Sequence, residues 1–351
     1  MPPSTQLAPH FNLLWLLGLV LTLSAAAAPA GTPVDDFQSY AFRNDGMPYF
    51  AFAQLPLTRI KLGRDRIDVA FAPGSIDLPR AHILAWITHS AQAVAAYYGR
   101  FPVRHARVLI IPVDGRGIRS GTSFGLQGAA SKIAFGRSTT DADLGADWIM
   151  THEFVHYGFP SVSDTHTWIE EGIATYVEPF GREQIGQLTP GKVWRDLVEG
   201  LPKGLPQAGD QGLDITHTWG RTYWGGALFC LLADVEIRQH SGNRLGLQDA
   251  LRAIVAAGGT IDTEWSLRHA LNVGDAAVGA PILSRLYDKM RATPVTPDLT
   301  ALWAQLGVVL QGKAVVFNDA APLAAVRKAI DNDGTNLPVA SKAEPAPAHI
   351  R

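Results

Sequence analysis

Apolar residues recur at helical spacing in some stretches of the chain and form short continuous runs in others. Residues 78 to 98 show the helical spacing, whereas the run ARVLIIPV at 106 to 113 is typical of a buried strand. Between 115 and 136, a Gly-rich segment followed by a short apolar run predicts a loop and an edge strand. Residues 31 to 142 are therefore predicted to form a mixed α+β portion.

From residue 143 onward the pattern is mainly helical. The clearest helical segments are 143 to 157, 167 to 178, 216 to 240 and 245 to 257, with weaker ones after 278. The tail from 339 to 351 is rich in Pro and Ala and is predicted to be disordered. The predicted fold class is α+β, with a small mixed sheet that precedes a mainly helical portion at 143 to 338.

The first thirty residues differ from the rest, because an apolar run is followed by small residues. This pattern predicts a secretory signal that is cleaved after Ala28 or Ala30, and hence a periplasmic or secreted protein without a stable membrane span. No Lys or Arg precedes the run, so an uncleaved N-terminal anchor is the alternative.

Composition narrows the classes further. With 351 residues, 47% of them hydrophobic, the chain can bury a large core as one large domain or two coupled ones. A net charge of -2 without long basic runs argues against nucleic acid as a partner. Cys230 is the one cysteine of the sequence, so no intrachain disulfide can form, and we expect a buried thiol.

The stretch DWIMTHEFVHYGFP, residues 147 to 160, contains two histidines four residues apart. On a helix, His152 and His156 lie on one face and can hold one ion between them. Glu153 lies roughly 60° around the helix from His156, beside the ion, where a base that activates water belongs. The pattern His-Glu-x-x-His therefore predicts a metal site in the last turns of this helix.

The ends of this helix can also be predicted. Either Asp141 or Asp143 can cap its start, and Gly158 with Pro160 ends it. Apolar contacts are expected from three residues, Leu144, Trp148 and Val155.

Two histidines do not complete a catalytic zinc site, which usually has three protein ligands and keeps one position for water. The metzincin pattern is excluded, because Val162 stands where a third histidine would be. Glu170 and Glu171 fall on a second helix after a short connection, and a helical hairpin would bring one of them to the ion. His166 is an alternative ligand, although its position favours capping or packing.

The sequences HEFVH and WIEEGIATYVE together resemble the gluzincin zinc peptidases, particularly the aminopeptidase N and glycyl aminopeptidase groups with the second motif Trp-x-x-Glu-Gly-x-Ala. In that register, Glu171 matches the metal ligand and Glu170 does not. The resemblance implies a thermolysin-like metallopeptidase domain. Thr175 stands where the thermolysin branch has an aspartate and is a candidate partner for a metal ligand. Gly172 would allow close packing on the metal helix.

A further segment, GRTYWGGALFCLLADVEIR, resembles the gluzincin sequence Tyr-x-x-Gly-Ala that leads into a long apolar helix. Tyr223 matches the tyrosine that stabilises the tetrahedral intermediate, although without the resemblance it would be a packing residue. Arg221 is either a group that binds a substrate carboxylate or a solvated surface charge.

These residues predict zinc-dependent peptide hydrolysis, with one zinc per chain and Glu153 as general base. Aminopeptidases of this group bind the substrate amine with a Gly-x-Met-Glu-Asn strand, but SFGLQGAAS at this place has no acidic residue. We therefore expect the strand candidate at 122 to 130 to bind the main chain of a peptide, without a requirement for its terminus. The alternative is a non-catalytic metal-binding or peptide-binding envelope protein that retains the fold.

Overall fold

The computed structural model describes residues 46 to 331. The predicted signal segment at 1 to 30 and the predicted tail at 339 to 351 lie outside these described residues. Within the described part of the chain, no helix combines the length and the apolar composition needed to cross a membrane.

A five-stranded mixed sheet forms the first half of the described chain. Its strands are β1 (Leu57–Leu62), β2 (Asp65–Phe71), β3 (His105–Val113), β4 (Ile118–Phe124) and β5 (Ala130–Gly136). Their order is β1-β2-β3-β5-β4, with β2, β3 and β5 parallel and the two edge strands β1 and β4 antiparallel to their neighbours. The predicted mixed sheet is therefore confirmed. The Gly-rich segment, predicted as a loop, forms the edge strand β4, and the apolar run, predicted as the edge strand, forms the interior strand β5.

The helices surround this sheet and continue beyond it. They are α1 (Tyr49–Gln54), α2 (Arg80–Tyr98), α3 (Asp141–Ala146), α4 (Ile149–Val155), α5 (Thr167–Gln184), α6 (Pro190–Gly200), α7 (Gly226–Ser241), α8 (Leu247–Ala256), α9 (Leu267–Val278), α10 (Ile282–Met290), α11 (Leu299–Leu306) and α12 (Ala324–Asp331). A hairpin of β6 (Val308–Gln311) and β7 (Ala314–Phe317) interrupts the helical part.

Both faces of the sheet are covered, which explains the continuous apolar run in β3. Val108 and Ile110 belong to the main core that includes α2, whereas Leu109 and Ile111 pack with α1 on the other face. Alternate residues of a strand point to opposite faces, so a strand that is covered on both sides is apolar throughout.

The predicted helix at 143 to 157 is two helices. Thr140 caps α3 in a reciprocal capping box with Asp143, so the prediction of an aspartate cap for the start was wrong. Asp147 then ends α3 in extended conformation, and its carboxylate accepts hydrogen bonds from the backbone N–H groups of Ile149 and Met150 at 3.2 and 3.1 Å. This carboxylate satisfies donors of the first turn of α4, which therefore starts in a new direction.

Helices α5 and α7 cross in close contact at two glycines. A Cβ atom on Gly172 would lie 2.3 Å from the Cα of Gly226, and one on Gly226 would lie 2.0 Å from the carbonyl oxygen of Trp168. The sequence predicted that Gly172 packs closely on the helix that carries His152. The structure shows instead that its close partner is α7.

Candidate metal centre

Helix α4, the 3-10 turn His156–Gly158 that follows it, and α5 bring the three predicted metal ligands together. One ligand atom from each of His152, His156 and Glu171 lies within 4.8 Å of the other two. Oε2 of Glu171 is 3.0 Å from Nε2 of His152 and 3.7 Å from Nε2 of His156. Ligands about 2.0 to 2.2 Å from a tetrahedral zinc are about 3.3 to 3.6 Å apart. The two distances bracket this range, so the donor set fits zinc with small adjustments of the side chains.

The ionisation of these side chains also suits a cation. Burial lowers the pKa of His156 to about 4, which leaves a neutral imidazole at neutral pH. Burial also acts to lower the pKa of His152, but the hydrogen bond with Glu171 and the neighbouring carboxylates raise it above the ordinary value. For Glu171, burial is outweighed by that hydrogen bond and by both imidazoles, which lower its pKa. Glu171 is thus a partly buried anion whose ion pairs, among the described residues, are with His152 and His156.

Glu153 lies beside the three ligands in the same cleft and is 6% exposed. Burial raises the pKa of Glu153 to about 7. The charge of His152 acts to lower this pKa, as does a hydrogen bond that Ser123 donates to Oε2 of Glu153 over 2.7 Å. The side chain also passes over Gly121 on β4, where a Cβ atom would lie 2.5 Å from its Cγ. A carboxyl group with a pKa near 7 can both accept and return a proton at neutral pH.

Tyr223 reaches the site from the π-helical turn Gly220–Gly225 that leads into α7. Its ring stacks on His152 with 6.2 Å between ring centroids, and it lines the same cleft as Glu171. Burial, together with the charges of Glu171 and Glu153, raises the pKa of Tyr223 to about 12. The tyrosine therefore stays protonated and can donate a hydrogen bond in the cleft.

The cleft has a volume of about 510 Å³, and its walls also carry Glu170 and Arg119. Oε1 of Glu170 accepts a hydrogen bond from the N–H of Val162 at 3.1 Å, and burial raises the pKa of this carboxyl to about 7. Glu170 is thus separate from the metal-ligand group, and it faces the cleft as a second carboxyl. Glu170 comes from α5, whereas the strand candidate at 122 to 130 carries no acidic residue.

Arg221 takes neither of the two roles that the sequence suggested. Its guanidinium is 2% exposed, lies 2.8 Å from the carboxylate of Asp210 and donates a hydrogen bond to the carbonyl oxygen of Gly204. The arginine is a buried structural group behind the turn that carries Tyr223.

The other residues that the sequence singled out also have defined places. His166 contacts Asp214 at 3.1 Å and packs edge-on against Tyr287, as its expected packing role requires. Trp148 is half exposed and packs edge-on against His152, so the prediction that it supplies a core contact was wrong. Cys230 is buried, as predicted.

A second cavity, with a volume of about 590 Å³, adjoins the metal centre at His152 and Tyr223. Thr175 and the buried Glu178 line it, and Glu178 receives a hydrogen bond from Arg182 at 2.8 Å. The negative charge of Glu178 is one of those that raise the pKa of His152. Glu178 lies one helical turn beyond Thr175 and two turns beyond Glu171, on the same face of α5.

No family model matches this chain, and no curated protein matches it. Among solved structures, it is similar to an aminopeptidase N family protein from Idiomarina loihiensis, with a TM-score of 0.54, 15% identity and coverage of 74% of this chain and 50% of that one. An M1 zinc metallopeptidase from Deinococcus radiodurans also matches, with a TM-score of 0.46, 18% identity and coverage of 70% and 53%.

This chain spans about half the length of these structures. The similarity to the Idiomarina protein confirms the predicted resemblance at the level of the fold: a mixed sheet and helices arranged as in an aminopeptidase N family protein.

Proposed function

We propose that this chain is a gluzincin-type zinc peptidase that hydrolyses peptide bonds in a thermolysin-like domain. The observation that carries the proposal is the convergence of His152, His156 and Glu171 beside the buried Glu153 in one cleft. A structural zinc site would be closed by four protein ligands, whereas three ligands and an adjacent carboxyl group are typical of a catalytic one.

Bound zinc would lower the pKa of a coordinated water and polarise the substrate carbonyl. Glu153 accepts a proton from the attacking water while the oxygen of that water forms a bond to the carbonyl carbon. The same carboxyl group then delivers the proton to the leaving amine as the C–N bond breaks. The protonated hydroxyl of Tyr223 donates a hydrogen bond to the oxyanion, and such a positioned donor contributes about 3 to 4 kcal/mol to the transition state.

Strand β4 supplies the surface for the substrate backbone. It is an edge strand, so its outer N–H and C=O groups are unpaired by the sheet, and several of its residues line the cleft. An extended peptide can add to such an edge through main-chain hydrogen bonds. This geometry supports a peptide or protein substrate that is recognised along its backbone.

Digestion of an unbiased peptide library by the zinc-loaded protein tests the proposal. The wild type should cleave peptide bonds, and Glu153→Gln should bind the same amount of zinc but lose at least the 10² to 10⁴ in rate roughly expected of a general base. Zinc binding without cleavage by the wild type would favour the non-catalytic binding protein. Full activity of Glu153→Gln would refute the role of Glu153.

A second candidate, trimming from the amino terminus, is supported by the position of Glu170 in the cleft. A carboxylate there can pair with a substrate ammonium group, whereas an unpaired buried charge is too unfavourable to bind. If the main chain alone is recognised, acetylation of the peptide terminus changes kcat/KM less than about tenfold, which is 1.4 kcal/mol. If acetylation abolishes cleavage and Glu170→Gln does the same for the free peptide, the enzyme is an aminopeptidase.

A further inference from the structure

The buried side of Glu153 faces two residues of the edge strand and not solvent. Gly121 and Ser123 are two positions apart on β4, so they share the face of the strand that packs on α4. Gly121 leaves room for the Glu153 side chain, since a Cβ atom there would lie 2.6 Å from Oε1. Ser123 donates to Oε2 over 2.7 Å. Ser123 thus holds Oε2 of Glu153, and Oε1 lies over Gly121.

Ser123 belongs to a longer chain of hydroxyl groups. Its Oγ lies 2.8 Å from Oγ of Ser131, directly opposite on β5, and that oxygen lies 2.6 Å from the hydroxyl of Tyr157. Tyr157 follows Glu153 by four residues and lies in the 3-10 turn that continues α4. Ser131 and Tyr157 are fully buried. The hydrogen bonds therefore run from Glu153 through two residues of the sheet to Tyr157.

The direction of the three hydrogen bonds follows from counting hydrogens. An ionised carboxylate can only accept, so the hydrogen of Ser123 must point to Glu153. The Ser123 hydroxyl also lies 2.9 Å from the backbone carbonyl of Glu153, but the carboxylate is closer and charged. Ser131 then donates to Ser123, and Tyr157 donates to Ser131. Each hydroxyl donates once and no hydrogen is left over.

We propose that Ser123, oriented by Ser131 and Tyr157 and opposed by Gly121, is a positioning residue that fixes the Glu153 carboxylate for proton transfer. The inference rests on the proposed peptidase function. A side chain with two free torsions beyond its Cβ needs such a support, because a displacement of about 1 Å at a reacting group can lower a rate by about 10². The hydrogen bonds of Ser123 go to Glu153 and Ser131 and to none of the metal-ligand atoms, so it acts through Glu153.

The test compares Ser123→Ala, Ser123→Thr and the control Ser90→Ala, which removes a buried serine hydroxyl on α2. In zinc-loaded protein, Ser123→Ala should lower kcat about 10- to 100-fold, with KM within about threefold and zinc content unchanged. Ser123→Thr should restore kcat to within about threefold, because it keeps the hydroxyl. Gly121→Ala should lower kcat like Ser123→Ala, because its methyl group displaces Glu153 from the other side.

Crystal structures of the zinc-loaded wild type and Ser123→Ala give a readout independent of activity. We expect Oε2 of Glu153 to lie on Ser123 in the wild type and to leave that position in the variant. The proposal is overturned if kcat of Ser123→Ala equals that of Ser90→Ala, or if the carboxylate stays in place. If the wild type proves inactive and the carboxylate still moves, the proposed function fails while the positioning by Ser123 stands. If the wild type is active and the carboxylate does not move, only the positioning fails.

Discussion

Replacing Gly172 with alanine tests the close crossing of α5 and α7. The added Cβ would lie 2.3 Å from the Cα of Gly226, whereas carbon atoms in contact are about 3.5 to 4.0 Å apart. The helices must therefore separate by more than 1 Å, since the obstructing atom is backbone and has no rotamer to change. Overpacking of a core costs about 1 to 3 kcal/mol and occasionally more, and the better helix propensity of alanine offsets about 1 kcal/mol.

We expect Gly172→Ala to reduce the free energy of unfolding by about 2 kcal/mol, which corresponds to a decrease in Tm of about 3 °C for a chain of 351 residues. Denaturant unfolding with zinc in constant excess measures the difference, because ligand binding itself shifts apparent stability. Gly145→Ala on α3 is the matched control, since its Cβ would meet no atom within 4 Å, and it should be neutral or slightly stabilising. A Gly172→Ala protein as stable as the wild type would refute the close crossing.

Three further predictions follow from the site and its surroundings. Glu171→Ala should lose the zinc and Glu170→Ala should largely retain it, so equal loss in plasma emission measurements would refute the ligand assignment. Because histidine ligands bind only when deprotonated, zinc should dissociate as pH falls below about 6, and full retention at pH 4 would argue against two histidine ligands. Burial raises the pKa of Glu183 to about 8, so the folded state holds this proton more tightly and loses stability as pH rises from about 5 to 8. Glu183→Gln should flatten that decrease in a pH series of unfolding curves, and an unchanged slope would exclude Glu183 as its source.

The metal-ligand group could be predicted from the sequence because residues that are close together along the chain determine the positions of its side chains. A spacing of four residues on a helix places His152 and His156 together regardless of the rest of the fold. Glu171 needed the second motif, since Glu170 is its direct neighbour and spacing alone does not separate them. The long helices and the apolar strands were likewise predicted by periodicity.

The parts that could not be predicted depend on distant contacts. Strand β4 is mostly polar, so its pairing with β5 and its support of Glu153 leave no periodic signal in the sequence. The helical segment predicted at 167 to 178 continues in the structure through the buried Pro179 to Gln184. Arg221 could be recognised as buried only once Asp210 was known to lie beside it.

The three metal-ligand residues also lie close together along the chain, and this has a consequence for folding kinetics. His152 and Glu171 are 19 positions apart, so bringing them together closes a short loop, and the conformational entropy lost is small. A helical hairpin of α4 and α5 can therefore bind zinc before Tyr223 and β4 have reached their places. Zinc should then accelerate refolding by stabilising an early hairpin. Pulse-labelled hydrogen exchange during refolding, with and without zinc, can measure this effect. Equal rates of protection in α4 and α5 under the two conditions would refute it.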